Sequence, residues 1–344
     1  MTLQGEDEEM TKIVRVILLL ALAAVATSAG ARAQTDGVSI AIPVLSLTFS
    51  PNYVAADKGF WQEQGLDVKF ASIPGVGATN AVLAGSVDFT NTASSAFLRA
   101  VARGQKLVAI GNTLDRIQIE LVMGKSFLAA RGFDAKAPAD VRARVLKGAR
   151  IAVDAPNSIV HGYVRYAARQ AGIDPERDIT ITPMAPPAML AALRSGQVDG
   201  IAMSRPWPSM LRLEGIALTV LSSPDGDFPE LNPFNYNLIV TRPGVCEARP
   251  ATCRKLMAGF NASLAFMHDN TPDTLAILGK RLDKMEPSLV KDAFAGVLAG
   301  TPRTAVVKEI GFTHAQDYMI RAGIMREDEA LKSFAGLYDN KYAE

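Results

Sequence analysis

The sequence predicts an α/β protein built from two similar lobes, and two observations carry that prediction. A shift of 111 positions, with no gap, lays Ile40-Ala41-Ile42 on Ile151-Ala152-Val153 and Asp67-Val68-Lys69-Phe70 on Asp178-Ile179-Thr180-Ile181. The same shift lays Gly85-Ser86-Val87-Asp88 on Gly196-Gln197-Val198-Asp199. Each copy also reads in one order: strand, polar loop, helix, strand, Pro/Gly loop, helix, Gly-x-Val-Asp, strand. Strands alternating with helical patterns imply βαβ units. Two such units facing one another leave a gap, and a ligand belongs in that gap.

In the first copy, Val38 to Leu47 is expected as a buried strand. Ser50 then stands at a helix start with Pro51 in the first turn. The helix through Tyr53, Ala56 and Phe60 ends near Gly65, and Leu66 to Ile73 is the second strand. Pro74 to Gly77 is a tight loop opening a helix, Ala78 to Ala84, which Gly85 stops in a left-handed conformation. Val87-Asp88-Phe89 begins the third strand. Thr90 to Ser95 reads as a small, polar loop before a helix from Phe97 to Arg103, and Lys106 to Gly111 is a further strand. Ile117 to Met123 is expected to carry the chain out of the first lobe.

The second copy opens with Arg150 to Val153, the loop Asp154 to Ser158 and a helix through Tyr163 and Gln170. Strand Ile179 to Thr182, helix Ala188 to Arg194 and strand Val198 to Met203 follow, and Ser204-Arg205-Pro206-Trp207 takes the repeat position of Ala93 to Ala96. Phe234 to Thr241 is expected to return the chain to the first lobe, and Pro250 to Glu344 reads as helical throughout. The expected division is therefore 38–122 with 238–344 as one lobe and 123–237 as the other, joined by two crossover strands. Two connections favour a hinge.

The chain has 344 residues, 49% hydrophobic, with a formal charge of +1. That balance gives no basic stripe for nucleic acid. At the N-terminus, Lys12 and Arg15 precede an apolar run from Val16 to Ala26, and Ala31-Arg32-Ala33 follows. This is the pattern of a secretory signal cleaved after Ala33, with too short an apolar run to span a bilayer. The acidic stretch from Glu6 to Glu9 fits such a signal poorly and suggests a true start at Met10. Outside the cytoplasm, the two cysteines, Cys246 and Cys253, are expected to form a disulfide. Their spacing is not the C-x-x-C of redox sites, and the three histidines (His161, His268, His314) are too scattered for a metal set. No cofactor is expected.

For catalysis, Ser158 and His161 stand at i and i+3 of a helix start, but no acid is evident to orient the histidine and no Gly-x-Ser-x-Gly elbow is present. Gly75-Val76-Gly77 lacks the third glycine of a dinucleotide fingerprint. Binding is better supported. Strand-to-helix loops recur at Ser46–Asn52 (with Ser46, Thr48, Ser50 and Asn52), at Gly75–Thr79 (with Gly75, Gly77 and Thr79), at Thr92–Ser95 (with Thr92, Ser94 and Ser95) and at Asn157–Ser158. Unpaired N–H groups at such helix starts favour a polar oxygen or an anion, although each hydroxyl also fits a simple capping role. Arg205 follows a strand at the ligand end of the sheet and can grip a carboxylate or sulfonate with two hydrogen bonds; a surface arginine or a salt bridge to Asp199 or Glu214 is the alternative. Trp207 can wall the pocket or fill core, and Asn235 and Tyr236 lie at the second crossing. Asp88 and Asp199 are expected to do structural work.

These segments resemble a family. The carriers are Pro51-Asn52-Tyr53-Val54-Ala55-Ala56-Asp57-Lys58-Gly59-Phe60-Trp61, Gly65-Leu66-Asp67-Val68 and Ala84-Gly85-Ser86-Val87-Asp88-Phe89, with Gly148 to Val153 and Ala192 to Asp199 in the second copy. The chain is similar to the periplasmic binding proteins of ABC importers for aliphatic sulfonates, taurine and nitrate, which share their fold with thiamine-pyrimidine synthases. The resemblance implies a type II periplasmic-binding-protein fold that closes on a small ligand and presents it to an ABC permease with its ATPase. Family members often carry an acid where this chain has Arg205, which leans the expectation towards an organic anion, a sulfonate or carboxylate. The synthases' cysteine- and histidine-bearing motif is missing. The expectation is a monomeric, non-enzymatic receptor in the periplasm, with no nucleic-acid partner and no stable membrane insertion. The alternatives are an enzyme of the same fold with His161 as base, or a sensor serving a membrane signalling protein.

Overall fold

In a computed structural model of the protein, residues 36–43, 45–73, 77–283 and 285–344 are described. The expected signal segment and Gly75 lie outside them. Ten strands are present among the described residues: β1 (Asp36–Ile42), β2 (Leu66–Ser72), β3 (Phe89–Ala93), β4 (Val108–Leu114), β5 (Ile119–Gly124), β6 (Arg150–Val153), β7 (Thr180–Pro183), β8 (Gly200–Ser204), β9 (Ala217–Ser222) and β10 (Asn237–Thr241). They form two five-stranded sheets, ordered β2-β1-β3-β10-β4 and β7-β6-β8-β5-β9.

The repeat in the sequence is a repeat of pairing register. Ile40 pairs with Phe89 and Ala41 with Thr90 in parallel β1–β3; Ile151 pairs with Gly200 and Ala152 with Ile201 in parallel β6–β8. All four pairs are related by the same 111-residue shift. The two matching aspartates hold that register. Asp88 Oδ2 accepts from the Ser39 amide at 2.8 Å, and Asp199 Oδ2 accepts from the Arg150 amide at 2.8 Å. Both aspartates are structural, as expected. Gly85 (φ +77°) and Gly196 (φ +74°) end the preceding helices in the left-handed region, which a side chain rarely adopts.

Each sheet is completed by an antiparallel strand from a later or earlier part of the chain. β10 lies between β3 and β4, and β5 lies between β8 and β9. The boundary expected between 122 and 123 therefore falls inside β5. β9, an apolar strand, was not foreseen. β3 runs on through Thr90 to Ala93, where a loop was expected: four residues of β3 pair with β10, and strand pairing outweighs the polar composition. β1 ends at Ile42, short of the expected Leu47, because Leu47–Phe49 winds into a 3-10 turn capped by Ser46.

Apolar side chains fill both sheets, with Ile40, Ile110, Leu121, Ile151 and Ile201 fully buried. Trp61 anchors the long helix Pro250–Asp269 onto the first sheet. Its ring meets Phe70 and Phe260 edge-on, and its Nε1 donates to the Leu256 carbonyl at 3.0 Å. Gly259 makes the room, since a Cβ there would lie 2.1 Å from Trp61 Cδ1. Cys246 and Cys253 are disulfide-bonded, Cα to Cα 5.6 Å, joining the short helix Val245–Ala248 to the long one.

Beyond Asp269 the chain is not helical throughout. Helices Thr271–Arg281, Pro287–Ala299 and Glu309–Arg321 are followed by turns and two short 3-10 segments. The last two of these helices touch elements of both sheets. Helix Glu309–Arg321 stacks Phe312 on Phe97 of the helix Ser94–Ala102 and donates Tyr318 Oη to the Ile159 carbonyl at 2.6 Å. Helix Pro287–Ala299 packs on the Leu47–Phe49 turn and on the helix Trp207–Leu213.

Candidate ligand-binding cleft

The strand ends of the first sheet carry a layer of buried polar side chains. Ser46 Oγ accepts from the Thr48 amide and hydroxyl, at 3.3 and 3.1 Å. Ser50 does not cap by accepting; its hydroxyl donates back to the Leu47 carbonyl at 2.5 Å. Asn52 Nδ2 donates to the Phe49 carbonyl at 3.2 Å, and Asn237 Nδ2 donates to the neighbouring Thr48 carbonyl at 2.8 Å. From Asn237 the network continues: its carbonyl accepts from Thr113 Oγ1, which in turn accepts from Asn91 Nδ2 at 3.3 Å. Ser94 begins its helix with its amide on the Tyr236 carbonyl, 3.2 Å away.

Four atoms in this layer have no hydrogen-bond partner among the described residues: Asn52 Oδ1, Thr79 Oγ1, Asn91 Oδ1 and Ser94 Oγ. The residues that carry them are 0%, 3%, 0% and 0% exposed. A buried acceptor without a partner costs about 1–3 kcal/mol, and native folds hold few of them. Three of the four, on Asn52, Thr79 and Ser94, belong to the expected binding loops.

On the second sheet, Asp154 follows β6 at the repeat position of Pro43. Its Oδ1 accepts from the Ser158 hydroxyl at 2.5 Å and the Ala155 amide at 2.8 Å. Burial raises the Asp154 pKa above the ordinary carboxylate value, against hydrogen bonds from Ser158 and from the Ala155 and Asp154 amides, which lower it. Ser158 caps the helix Ile159–Gln170 by accepting from the His161 amide. His161 Nδ1 accepts from the Asn157 amide at 2.8 Å, so its proton sits on Nε2, and burial followed by the Arg165 charge lowers its pKa. Ser158 and His161 thus do not form a nucleophile–base pair: the hydroxyl proton goes to Asp154 and the ring is engaged elsewhere. Arg99, from the first-sheet side, reaches across to the Asn157 carbonyl at 2.8 Å.

Arg205 is buried and already engaged. Its Nε lies 3.1 Å from Glu120 Oε2, and its Nη2 pairs with Asp225 and reaches Ser222 Oγ at 3.4 Å. Neither expected alternative partner is used, since Asp199 pairs with Arg150 and Glu214 with Arg194. Glu120, fully buried in β5, also accepts from Thr219 Oγ1 at 2.6 Å and lies 2.9 Å from Arg212 Nε without hydrogen-bonding alignment. Arg212 and Ser209 reach Asp292 of helix Pro287–Ala299 at 3.2 and 3.0 Å. Gly296 of the same helix faces the Arg205 guanidinium.

The remaining expected residues divide. Thr92 is a strand residue paired with Leu238, and Ser95 is buried in the first turn of its helix. Gly77 opens the helix Gly77–Leu83. Trp207 is half-buried against the core. Asn235 is taken up by the C-terminal segment, donating to the Lys308 carbonyl at 2.8 Å. Tyr236 is buried, and burial with the Asp154 charge pushes its phenol pKa up. Sequence reasoning passed over Asn91, Glu120 and Asp154. Glu120 stands inside an apolar strand run, where a carboxylate needs a partner, and Asp154 is the charge that the second copy adds directly after its repeated strand.

The sequence profile of the NMT1-like family matches residues 38–276. No curated protein sequence matches the chain. Among solved structures, it is similar to a protein of Bordetella bronchiseptica RB50, at 24% identity and a TM-score of 0.73, covering 90% of this chain and 96% of that one. The periplasmic aliphatic sulphonate binding protein SsuA of Escherichia coli superposes with a TM-score of 0.67 at 18% identity, over 87% and 94% of the two chains. The ligand binding component of an ABC-type import system of Staphylococcus aureus gives 0.69 at 12% identity, over 89% and 97%. At these identities the likeness is one of fold: two α/β lobes, each on a five-stranded sheet.

Proposed function

The chain belongs to the NMT1-like family, and on that premise we propose that it is an extracytoplasmic solute-binding receptor that delivers a small polar solute to an ABC permease. The observation that carries this reading is the set of four buried, unpartnered polar atoms on Asn52, Thr79, Asn91 and Ser94, three of them in the opening turns of helices Ser50–Asp57, Gly77–Leu83 and Ser94–Ala102 and one in β3. A solute bridging those groups to Asp154 and Ser158 touches both sheets and so favours the closed arrangement. The roles of the sulphonate-binding and import-system neighbours support the same reading. So does the secretory pattern ending at Ala33, which fits export to the periplasm.

An organic anion was expected from Arg205. That guanidinium is committed to Glu120 and Asp225, so it offers no free charge, and the reading here is of a polar solute without a fixed sign. The separate engagement of Ser158 and His161 supports a receptor over a hydrolase. The test is a thermal-shift screen of small solutes of both charge signs. A ligand that binds only the native state raises Tm with the logarithm of its concentration over Kd; a flat response across the panel would refute the receptor.

A further inference from the structure

We infer that the second lobe carries a further ligand site, a pocket that takes a small amphiphilic organic anion, one acidic head on an apolar body. The pocket is built by the segment between β5 and β6, which lies outside both copies of the repeat, and it does not depend on the receptor reading.

That segment folds as the helix Lys125–Ala129, a turn, the helix Ala139–Arg142 and the 3-10 segment Ala143–Leu146. From Lys125 to Lys147 it carries six cations (Lys125, Arg131, Lys136, Arg142, Arg144, Lys147) against two acids, Asp134 and Asp140. The local charge is therefore +4, where the whole chain carries +1. Part of the segment closes around a pocket of about 450 Å³. Its lining brings together Arg131, Arg144 and Lys147, the apolar side chains of Phe133, Val141 and Val145, and one carboxylate, Asp134. None of the residues expected to bind a solute in the cleft lines it.

Arg142 also lines the pocket, and its work is structural. It donates to the Ala137 carbonyl and to the Val220 carbonyl of β9, and it pairs with Asp227, so the helix Ala139–Arg142 is fixed to the edge strand of the second sheet. The other three cations are unspent. Arg144 and Lys147 are exposed, and neither side chain has an ion pair or hydrogen bond among the described residues. Arg131 lies over the Phe127 ring, 3.5 Å from its centre. That stack orients the guanidinium and leaves its N–H edges free for a carboxylate, sulfonate or phosphate. Asp199, the carboxylate that feels the Arg131 charge, is already bound by Arg150 at 2.7 Å.

Three unpaired cations and a single carboxylate thus share one concavity with an apolar surface. A hollow of mostly one sign with apolar walls focuses its field outward and draws in the opposite charge. Val141 is 37% exposed, so apolar surface stands open beside the cations, while Phe133 and Val145 pack against the core and hold that wall in place. A bare inorganic anion would answer the charges and leave this surface wet. An aryl or alkyl anion covers it as well, and the volume lies within the range of small-molecule sites.

The experiment is calorimetry on the protein with three probes: naphthalene-2-sulfonate, its cationic match naphthalen-2-ylmethylammonium, and inorganic sulfate as the head without the body. The variant replaces Arg131, Arg144 and Lys147 together with glutamine. These side chains are exposed, so its ligand-free Tm should match the wild type. The expected result is that the wild type binds the sulfonate, and that affinity falls at least about tenfold in the triple variant and falls further as NaCl is raised. Sulfonate affinity unchanged in the variant, the outcome for binding in the cleft, would overturn the pocket and leave the receptor reading untouched. Sulfate binding as tightly as the sulfonate would overturn the amphiphilic class, and the ammonium binding as tightly would overturn the sign of the charge. Silence from all three probes would overturn the site itself. The wild-type panel decides the ligand class without any variant.

Discussion

Replacing Arg205 with alanine separates a structural arginine from a ligand-gripping one. Its side chain is 9% exposed and that of Glu120 is 0% exposed, with 3.1 Å between the charged atoms. Removing one partner of a buried pair costs about 3–5 kcal/mol, because the other charge stays buried. Here Thr219 and Arg212 still attend Glu120, which places the expected loss near the lower end, about 3 kcal/mol. The Asp225 contact adds little, since that carboxylate is 55% exposed. At ~2.1 cal/mol/K per residue, a loss of that size lowers Tm by about 5 °C. Urea denaturation of the ligand-free protein reads it as a shift in midpoint with an unchanged slope. The double variant Arg205→Ala with Glu120→Gln removes the stranded charge, so its loss should fall short of the sum of the singles by at least about 1 kcal/mol. A loss below about 0.5 kcal/mol in the single variant, within the range of ordinary surface substitutions, would refute the structural assignment.

Two further outcomes follow from packing and cross-linking. Gly259→Ala drives a methyl group into Trp61 and should destabilise by about 1–3 kcal/mol, the cost of overpacking a filled core; intrinsic fluorescence of the folded state should report the displaced indole. Replacing Cys246 and Cys253 together with serine opens a short loop, so about 2 kcal/mol should be lost, the low end for disulfides. The same loss on reduction of the wild type, measured by urea denaturation, checks it.

The repeat was legible because a parallel sheet writes its register into the spacing of apolar runs. The shift that aligns Ile40 with Ile151 also aligns the pairs these residues make. What the chain hides is where polar residues go when distant segments cover them. Thr90-Asn91-Thr92 reads as loop by composition, yet β10, about 150 residues later, pairs with it as strand. Arg205 read as a ligand arginine because its partners, Glu120 and Asp225, stand 85 and 20 residues away in sequence. The disulfide and the structural role of Asp88 and Asp199 were foreseen because each needs only local or repeated spacing.

The closing helices have a bearing on how a solute gets in. Pro287–Ala299 holds the far side through buried Ser209 and partly exposed Arg212 on Asp292, and salt screens the ionic contact of the two. Glu309–Arg321 holds through packed rings and the Tyr318 phenol on a buried carbonyl. Parting the halves cannot spare both, so the ionic seam is the one expected to unzip while the aromatic seam serves as the axle. Solute exchange that quickens with ionic strength would locate the doorway on the Asp292 side; indifference to salt would place it elsewhere.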